Sequence, residues 1–237
     1  MINNSETIRI NKAISSSGYC SRRQADTLIE EKRVKINGKI AELGDRVNEE
    51  DIITIDDRPI NEDNKHVYLI LNKPVGITCT TDQRVIGNVI DFINYPKRIF
   101  HVGRLDKPSE GLLLMTNDGD IVNKILRAEY EHEKEYIVRV NRPVTSSFVQ
   151  KMSAGVPILD TVTKRCKVER VSRYTFKIIL KQGLNRQIRR MCEYFGYHVE
   201  SLKRIRLIHI QLGDLPVGKW RYLTKDELGE LYREVDK

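Results

Sequence analysis

The residues best suited to chemistry lie in three short segments. The first is the loop Gly103-Arg104-Leu105-Asp106. It lies between two apolar runs, RIFHV (98–102) and LLLMT (112–116), so a sheet edge would hold its polar side chains on a rigid scaffold. Gly103 and Gly111 flank it, and glycine lets a backbone approach another group closely. The second is LNRQIRRMCEYFGY, read as a helix opened by Asn185 and stopped by Gly196. Ile188, Met191, Cys192 and Phe195 share one face, and Arg186, Arg189 and Arg190 stand at i, i+3 and i+4. Guanidinium groups beside the positive end of a helix dipole suit phosphate. The third is Lys134-Glu135-Tyr136, at the start of the alternating run EYIVRV. Each segment also has a plainer reading: a solvated acid–base pair, a solvated basic face, a packed tyrosine.

Other chemistries lack their motifs. His66, His101, His132, His198 and His209 show no metal-ligand spacing. Cys20, Cys79, Cys166 and Cys192 are far apart and form no C-x-x-C pair. There is no G-x-S-x-G, no P-loop and no G-x-G-x-x-G. No metal site or disulfide framework is therefore expected, and a reduced, cytoplasmic protein is.

The elements that must position these segments change character along the chain. The first 60 residues read as a small α+β unit. Ser21 and Gln24 form an S-x-x-Q capping box opening a helix that buries Ala25, Leu28 and Ile29. Asn37-Gly38 between short alternating runs signals a hairpin, and Ile52 to Ile55 a further strand. DDRPINEDNK (56–65) is polar, contains Pro59 and reads as a linker. Beyond it come an apolar strand in VYLILNKP and a helix capped by Asp118 or Asp120. TSSFVQKMSAG then reads as a helix ended by Gly155, and strands follow at 162–170, 174–181 and 204–212. A second capping box, Thr224 with Glu227, opens a terminal helix. Clustered strands predict an α+β fold with a mixed, mostly antiparallel sheet.

At 237 residues the chain is expected to form two domains, 1–62 and 63–237. It has no signal-type N-terminus and no apolar run long enough to span a membrane. Its net charge is +8, and the charge is unevenly placed. Residues 1–40 hold eight bases against four acids, 41–64 nine acids against two bases, and 181–206 seven bases against two acids. Two basic patches in a chain of pI near 9.3 point to nucleic acid.

Segment 7–60, with CSRRQAD at Cys20–Asp26 and VKINGK at Val34–Lys39, resembles an S4 RNA-binding domain. The rest resembles the catalytic domain of bacterial rRNA pseudouridine synthases of the RsuA, RluB, RluE and RluF family. The matching motifs are LNKPVG at Leu71–Gly76, GRLD at Gly103–Asp106, KEY at Lys134–Tyr136 and LNRQIRRM at Leu184–Met191. HEKEY, MSAGVPIL and NRQIRRMCEYFGY are most similar to the large-subunit group, and within it to the RluF type.

The resemblance implies isomerisation of a uridine in 23S rRNA to its C5-glycoside, with a tRNA anticodon-loop uridine as a second candidate substrate. It implies Asp106 as nucleophile, Tyr136 as active-site tyrosine and Arg189 as the arginine partner of the carboxylate. Arg104, Leu105, Lys107, Arg186, Gln187 and Ile188 would meet the flipped base and its neighbours. Arg22, Arg23, Lys32, Arg33 and Lys35 would dock the S4 region on an RNA helix. No redox change or donor is involved, so no cofactor is expected, and a monomer is. Some relatives carry a long basic C-terminal tail, whereas this chain ends soon after TKDELGELYREV, so any affinity such a tail supplies is expected to be missing. The competing reading is a non-catalytic S4-type RNA-binding or ribosome-assembly factor. A DNA-binding regulator has no helix-turn-helix spacing to support it.

Overall fold

The computed structural model describes residues 7–60, 65–126 and 131–235. It divides into two compact units. One is drawn from residues 1–66, 95–99 and 117–119, and the other from 67–94, 100–116 and 120–237.

The smaller unit runs β1 (Ile8–Arg9), α1 (Ile10–Ser16), α2 (Arg22–Glu30), β2 (Val34–Ile36), β3 (Lys39–Ile40), β4 (Arg46–Val47), β5 (Ile53–Ile55) and β6 (Arg58–Pro59). The Ser21–Gln24 capping box is present, with the Ser21 Oγ accepting from the Gln24 backbone N–H at 3.2 Å. Helix α1 buries Ile10, Ala13 and Ile14 at helical spacing against Ala25 and Ile29 of α2 and Val34, Ile53 and Ile55 of the sheet. Asn37 and Gly38 take the positive φ values, 50° and 80°, that their hairpin needs.

The expected linker is partly wrong. Asp56 and Asp57 also sit at positive φ and close a second two-residue hairpin, pairing β5 with β6. Aspartate tolerates this region through local hydrogen bonding, and Pro59 is harmless on an edge strand that donates nothing there. Residues 61–64 of that stretch lie outside the described residues.

The larger unit contributes β7 (Tyr68–Lys73), α3 (Val89–Ile93), β8 (Phe100–Val102), β9 (Glu110–Thr116), α4 (Gly119–Leu126) and β10 (Lys134–Val140). It continues with α5 (Ser146–Ala154), β11 (Pro157–Ile158), β12 (Thr161–Val162), β13 (Lys167–Ser172), β14 (Thr175–Leu180) and α6 (Gln187–Tyr194). It ends with β15 (Val199–Leu207), β16 (Ile210–Gln211), β17 (Trp220–Tyr222) and α7 (Lys225–Val235). The main sheet has the order β13-β14-β10-β15-β9-β7-β17, with β16 on β15 and β8 on β9. The fold is thus α+β with a mixed sheet. Every named pairing in it is antiparallel except β9 with β15.

Strand β9 is buried from Gly111 to Thr116, which is why its sequence shows an unbroken apolar run rather than alternation. Leu112 and Leu114 face Ile121 and Ile125 of α4 and Leu231 and Val235 of α7 in one core. Thr224 and Glu227 cap α7 as expected, each side chain accepting from the other's backbone N–H.

Three expectations shift. The run 162–170 splits into β12 and β13, because Gly155 at φ 105° lets the Thr163 carbonyl approach and the Thr163 hydroxyl takes the Val156 N–H at 2.9 Å. The run 204–212 is the end of a longer β15 followed by a hairpin into β16. Ile208 turns it at φ 56°, held there by burial. Asn185 does not cap α6. Arg186, at φ 50°, occupies that position without a side-chain bond.

The β9–β15 crossing depends on Gly111. A Cβ there would lie 2.2 Å from the Arg204 carbonyl oxygen, and φ is 108°. Gly111→Ala is expected to cost about 3 kcal/mol or more, lowering the unfolding midpoint by roughly 6–12 °C. Thermal unfolding followed by circular dichroism checks this, and an unchanged midpoint would contradict the close approach.

Candidate active site

The loop after β8 is held from four sides. The His101 ring Nδ1 meets the Gly103 carbonyl at 2.7 Å, fixing the exit from the strand. The Leu105 N–H donates to Cys79 Sγ at 3.4 Å, and the Gly76 N–H to the Lys107 carbonyl at 2.8 Å. The Asp106 carbonyl accepts from the Ser109 N–H at 2.9 Å, closing a turn that leads into β9. The LNKPVG segment is therefore the loop's brace. Its Lys73 is fully buried and donates from Nζ to the Pro74 and Ile77 carbonyls at 2.8 and 2.9 Å. Burial pulls the lysine below its usual range, while nearby Cys79, Asp106 and Glu110 work in the other direction.

Helix α6 supplies the fourth restraint. Arg189 is buried, although its neighbours Arg186 and Arg190 are not. Its guanidinium donates to the Val199 carbonyl at 3.3 Å, the Pro108 carbonyl at 3.0 Å and Ser109 Oγ at 3.2 Å. Burial and the Arg186 charge lower its affinity for the proton, and the charge of Asp106 raises it. The expected carboxylate partner thus grips the backbone that carries the carboxylate. Arg190 turns back onto Asn185, with bonds of 3.1 and 3.3 Å, so the three arginines do not make one phosphate cluster.

Asp106, Tyr136 and Arg189, from three separate segments, line a single cleft of about 600 Å³. Arg104, Leu105, Arg186, Gln187 and Ile188 line it too, whereas Lys107 does not. Tyr136 is 9% exposed on β10, and in the sheet it pairs with Arg204 of β15. Gln187 is committed internally: its Oε1 accepts from the Leu184 N–H at 3.0 Å. The S4-region cations belong to the other unit. Arg22, Arg23 and Lys32 are exposed there, while Arg33 forks onto Asp56 at 2.9 and 2.6 Å and Lys35 meets Asp57 at 2.5 Å.

Sequence reasoning gave no individual role to three cations in and behind this cleft: Lys73 and Lys134, seen only as members of motifs, and Arg204, seen only within a basic run. Arg204 is 2% exposed; its Nε donates to the Leu112 carbonyl at 2.7 Å, and its Nη2 has no hydrogen-bond partner among the described residues. Lys134 donates to the His132 carbonyl at 3.1 Å and is pulled down by burial and by Arg204. The available signal was a charged residue inside an apolar strand, as at Lys73 in YLILNK.

Chemically, the cleft offers a carboxylate on a braced loop, an aromatic ring and several cations, of which Arg104, Arg186 and Arg189 make no ion pair among the described residues. It can hold a flat polar heterocycle attached to a phosphate backbone and present an oxygen nucleophile to it. The sequence profile for RNA pseudouridylate synthases matches residues 67–194, and that of the S4 domain residues 8–53. The chain belongs to the RNA pseudouridylate synthase family, with an N-terminal S4 domain, and is an isomerase of uridine in RNA.

Among curated relatives it is 54% identical over 230 residues to the dual-specificity RNA pseudouridine synthase RluF of Salmonella typhi, covering 96% of this chain and 80% of that one. It is 36% identical to the ribosomal large subunit pseudouridine synthase B of Bacillus subtilis, covering 96% and 97% of the two chains. A solved pseudouridylate synthase superposes with a TM-score of 0.70 at 30% identity, over 94% of this chain and 99% of that one.

Burial holds the His101 imidazole below its usual range, so it is neutral in the native state near pH 7. The unfolded chain takes up that proton more readily. The stabilisation is therefore present above pH about 6.5 and is lost as pH falls below it. Unfolding free energy from pH 7 to 5 is expected to fall less steeply in His101→Asn than in the parent; denaturant titrations across that range measure it. Arg189→Lys puts a single nitrogen in place of the Nη1 and Nη2 atoms that reach these separate acceptors. It is expected to lower turnover by roughly 10²-fold while RNA affinity changes less than about threefold.

Proposed function

We propose that this enzyme converts a uridine of 23S rRNA to pseudouridine, with a tRNA anticodon-loop uridine as a second substrate. The names of its relatives, a dual-specificity synthase and a large-subunit synthase, support that range. Residues 1–62 dock the RNA and residues 63–237 carry the chemistry. The protein acts as a monomer in the cytoplasm. The observation that carries the catalytic reading is the convergence of Asp106, Tyr136 and Arg189 on one cleft.

In this reading the target base leaves its stack, at a cost of a few kcal/mol, and enters the cleft. Arg104, beside the carboxylate, fills the vacated space by stacking. Asp106 attacks the sugar or the base, or assists elimination to a glycal. The N1–C1′ bond breaks, the base turns, and C5 bonds to C1′. C5 gives up a proton and N1 gains one, so composition is conserved and no cofactor enters. Tyr136 stacks on the uracil and assists loss of the C5 proton. Arg189 holds the Pro108 carbonyl and the Ser109 hydroxyl, and with them the turn that carries Asp106, in place.

Arg22, Arg23 and Lys32 contact phosphates of a nearby helix in the docking region. Arg33 and Lys35, paired with Asp56 and Asp57, do so by exchanging a carboxylate for a phosphate.

The test is pseudouridine mapping of total RNA from a deletion strain rescued by the parent gene or by Asp106→Asn. One or more sites should vanish and return only with the parent. In purified form Asp106→Asn should lose at least about 10³-fold in rate with RNA affinity nearly unchanged. No altered site in any RNA would remove the catalytic assignment in favour of a binding factor.

A further inference from the structure

The charge pattern of the sequence has a third basic run. Residues 161–181 hold seven bases, Lys164, Arg165, Lys167, Arg170, Arg173, Lys177 and Lys181, against the single acid Glu169. This run forms the loop after β12, the β13–β14 hairpin and its exit. Part of its charge is spent internally. Lys177 pairs with Glu169 at 3.1 Å, and Lys164 and Lys181 share Glu131 at 2.7 and 3.4 Å. Arg165 and Lys167 are exposed, and among the described residues neither makes an ion pair.

Arg165 and Lys167 line a second cleft of about 580 Å³, together with Gln150 and Ser153 of α5, Cys166, Lys181 and one acid, Glu133, which Arg206 pairs at 3.0 Å. Lys181 lines the active cleft as well, so the two depressions meet at one cationic side chain. Cys166 gives the second cleft no reactivity of its own. Its thiol donates to the Met152 carbonyl at 3.4 Å, and burial pushes it up to about 11. What remains is a trough with an apolar floor at Ala154 and Ile179 and two cations at its rim that make no ion pair among the described residues, sharing Lys181 with the cleft where the target nucleotide would sit.

We propose that this second cleft is an RNA subsite, taking the sugar-phosphate backbone of the strand that flanks the target uridine. The inference rests on the family's RNA uridine activity and on the reading of the 600 Å³ cleft as its active site. Extruding a nucleotide leaves its two neighbours on a distorted backbone, which needs cations beside the pocket. Arg165 and Lys167 supply them on one side through Lys181. Gln150 adds an uncharged donor for phosphate or 2′-hydroxyl oxygens, while Ser153, whose hydroxyl donates to the Val149 carbonyl at 2.9 Å, can accept from a 2′-hydroxyl. The contact is to backbone, so it adds affinity and position rather than base preference.

The experiment uses the full-length enzyme and two RNAs, a long substrate and one trimmed close to the target nucleotide on both sides. Arg165→Ala/Lys167→Ala should weaken binding of the long RNA by about tenfold at moderate salt. The slope of log Kd against log salt should become shallower by about 1.4, the loss of two single-strand phosphate contacts. The trimmed RNA should bind parent and variant alike. Lys225→Ala/Arg233→Ala on α7 removes the same charge away from this cleft and should leave the slope unchanged.

An unchanged slope for the cleft variant would overturn the proposal. So would an equal loss in the α7 variant, or an equal loss with the trimmed RNA. Failure of Asp106→Asn to abolish turnover would instead overturn the catalytic reading, whatever the cleft variant did.

Discussion

The site depends on one backbone approach. Strands β9 and β15 run parallel where Gly111 meets Arg204, and no side chain fits between them. That pairing joins two antiparallel halves of the sheet, β13-β14-β10-β15 and β9-β7-β17. The Asp106 loop enters β9 from one half, and Tyr136 and Arg204 stand on β10 and β15 in the other. Without the crossing, the carboxylate and the tyrosine would belong to separate layers. A parallel pair between residues more than ninety apart is bought with loop entropy, and burial of β9 on both faces offsets it.

The second constraint is electrostatic. Lys73, Arg189 and Arg204 are all withdrawn from water around the loop, yet each donates mainly to backbone carbonyls rather than to carboxylates. A buried ion pair would neutralise both partners and leave no field in the cleft. Carbonyl acceptors stabilise the cations while leaving their net charge uncancelled. That charge attracts an anionic backbone. The same bonds are mechanical, since Lys73 shapes the turn that braces the loop and Arg189 holds its far end. One set of cations therefore fixes the geometry and sets the potential.

Local features were legible where a residue type has one structural use. The Ser21–Gln24 and Thr224–Glu227 boxes, the Asn37-Gly38 turn and the Gly155 stop could be read directly. So could the segments bearing Asp106, Tyr136 and Arg189, because chemistry-bearing residues stood beside strong strand or helix patterns. The rest required distance in sequence. Lys73 and Arg204 look like ordinary strand charges until both faces of their strands are covered. Asp56-Asp57 lacks the glycine that marks most such turns, so the hairpin passed for a linker. Nothing local to Asn185-Arg186 says that the arginine, in left-handed conformation, rather than the asparagine begins α6.

Charge location in this chain carries more meaning than charge total. In the smaller unit, acids of the 41–64 stretch reach back to tie down Arg33 and Lys35 across the sheet. Such exposed pairs are weak and screened by salt, so they hold the β-turn in register without removing those cations from reach of a stronger anion. In the larger unit the cations divide by burial. Those inside act on the loop that bears Asp106, and those outside, with few acids to balance them, face the solvent from the β13–β14 hairpin. A sugar-phosphate strand needs both kinds: fixed charge where the nucleotide is turned over, and mobile, hydrated charge along the path by which the strand arrives and leaves.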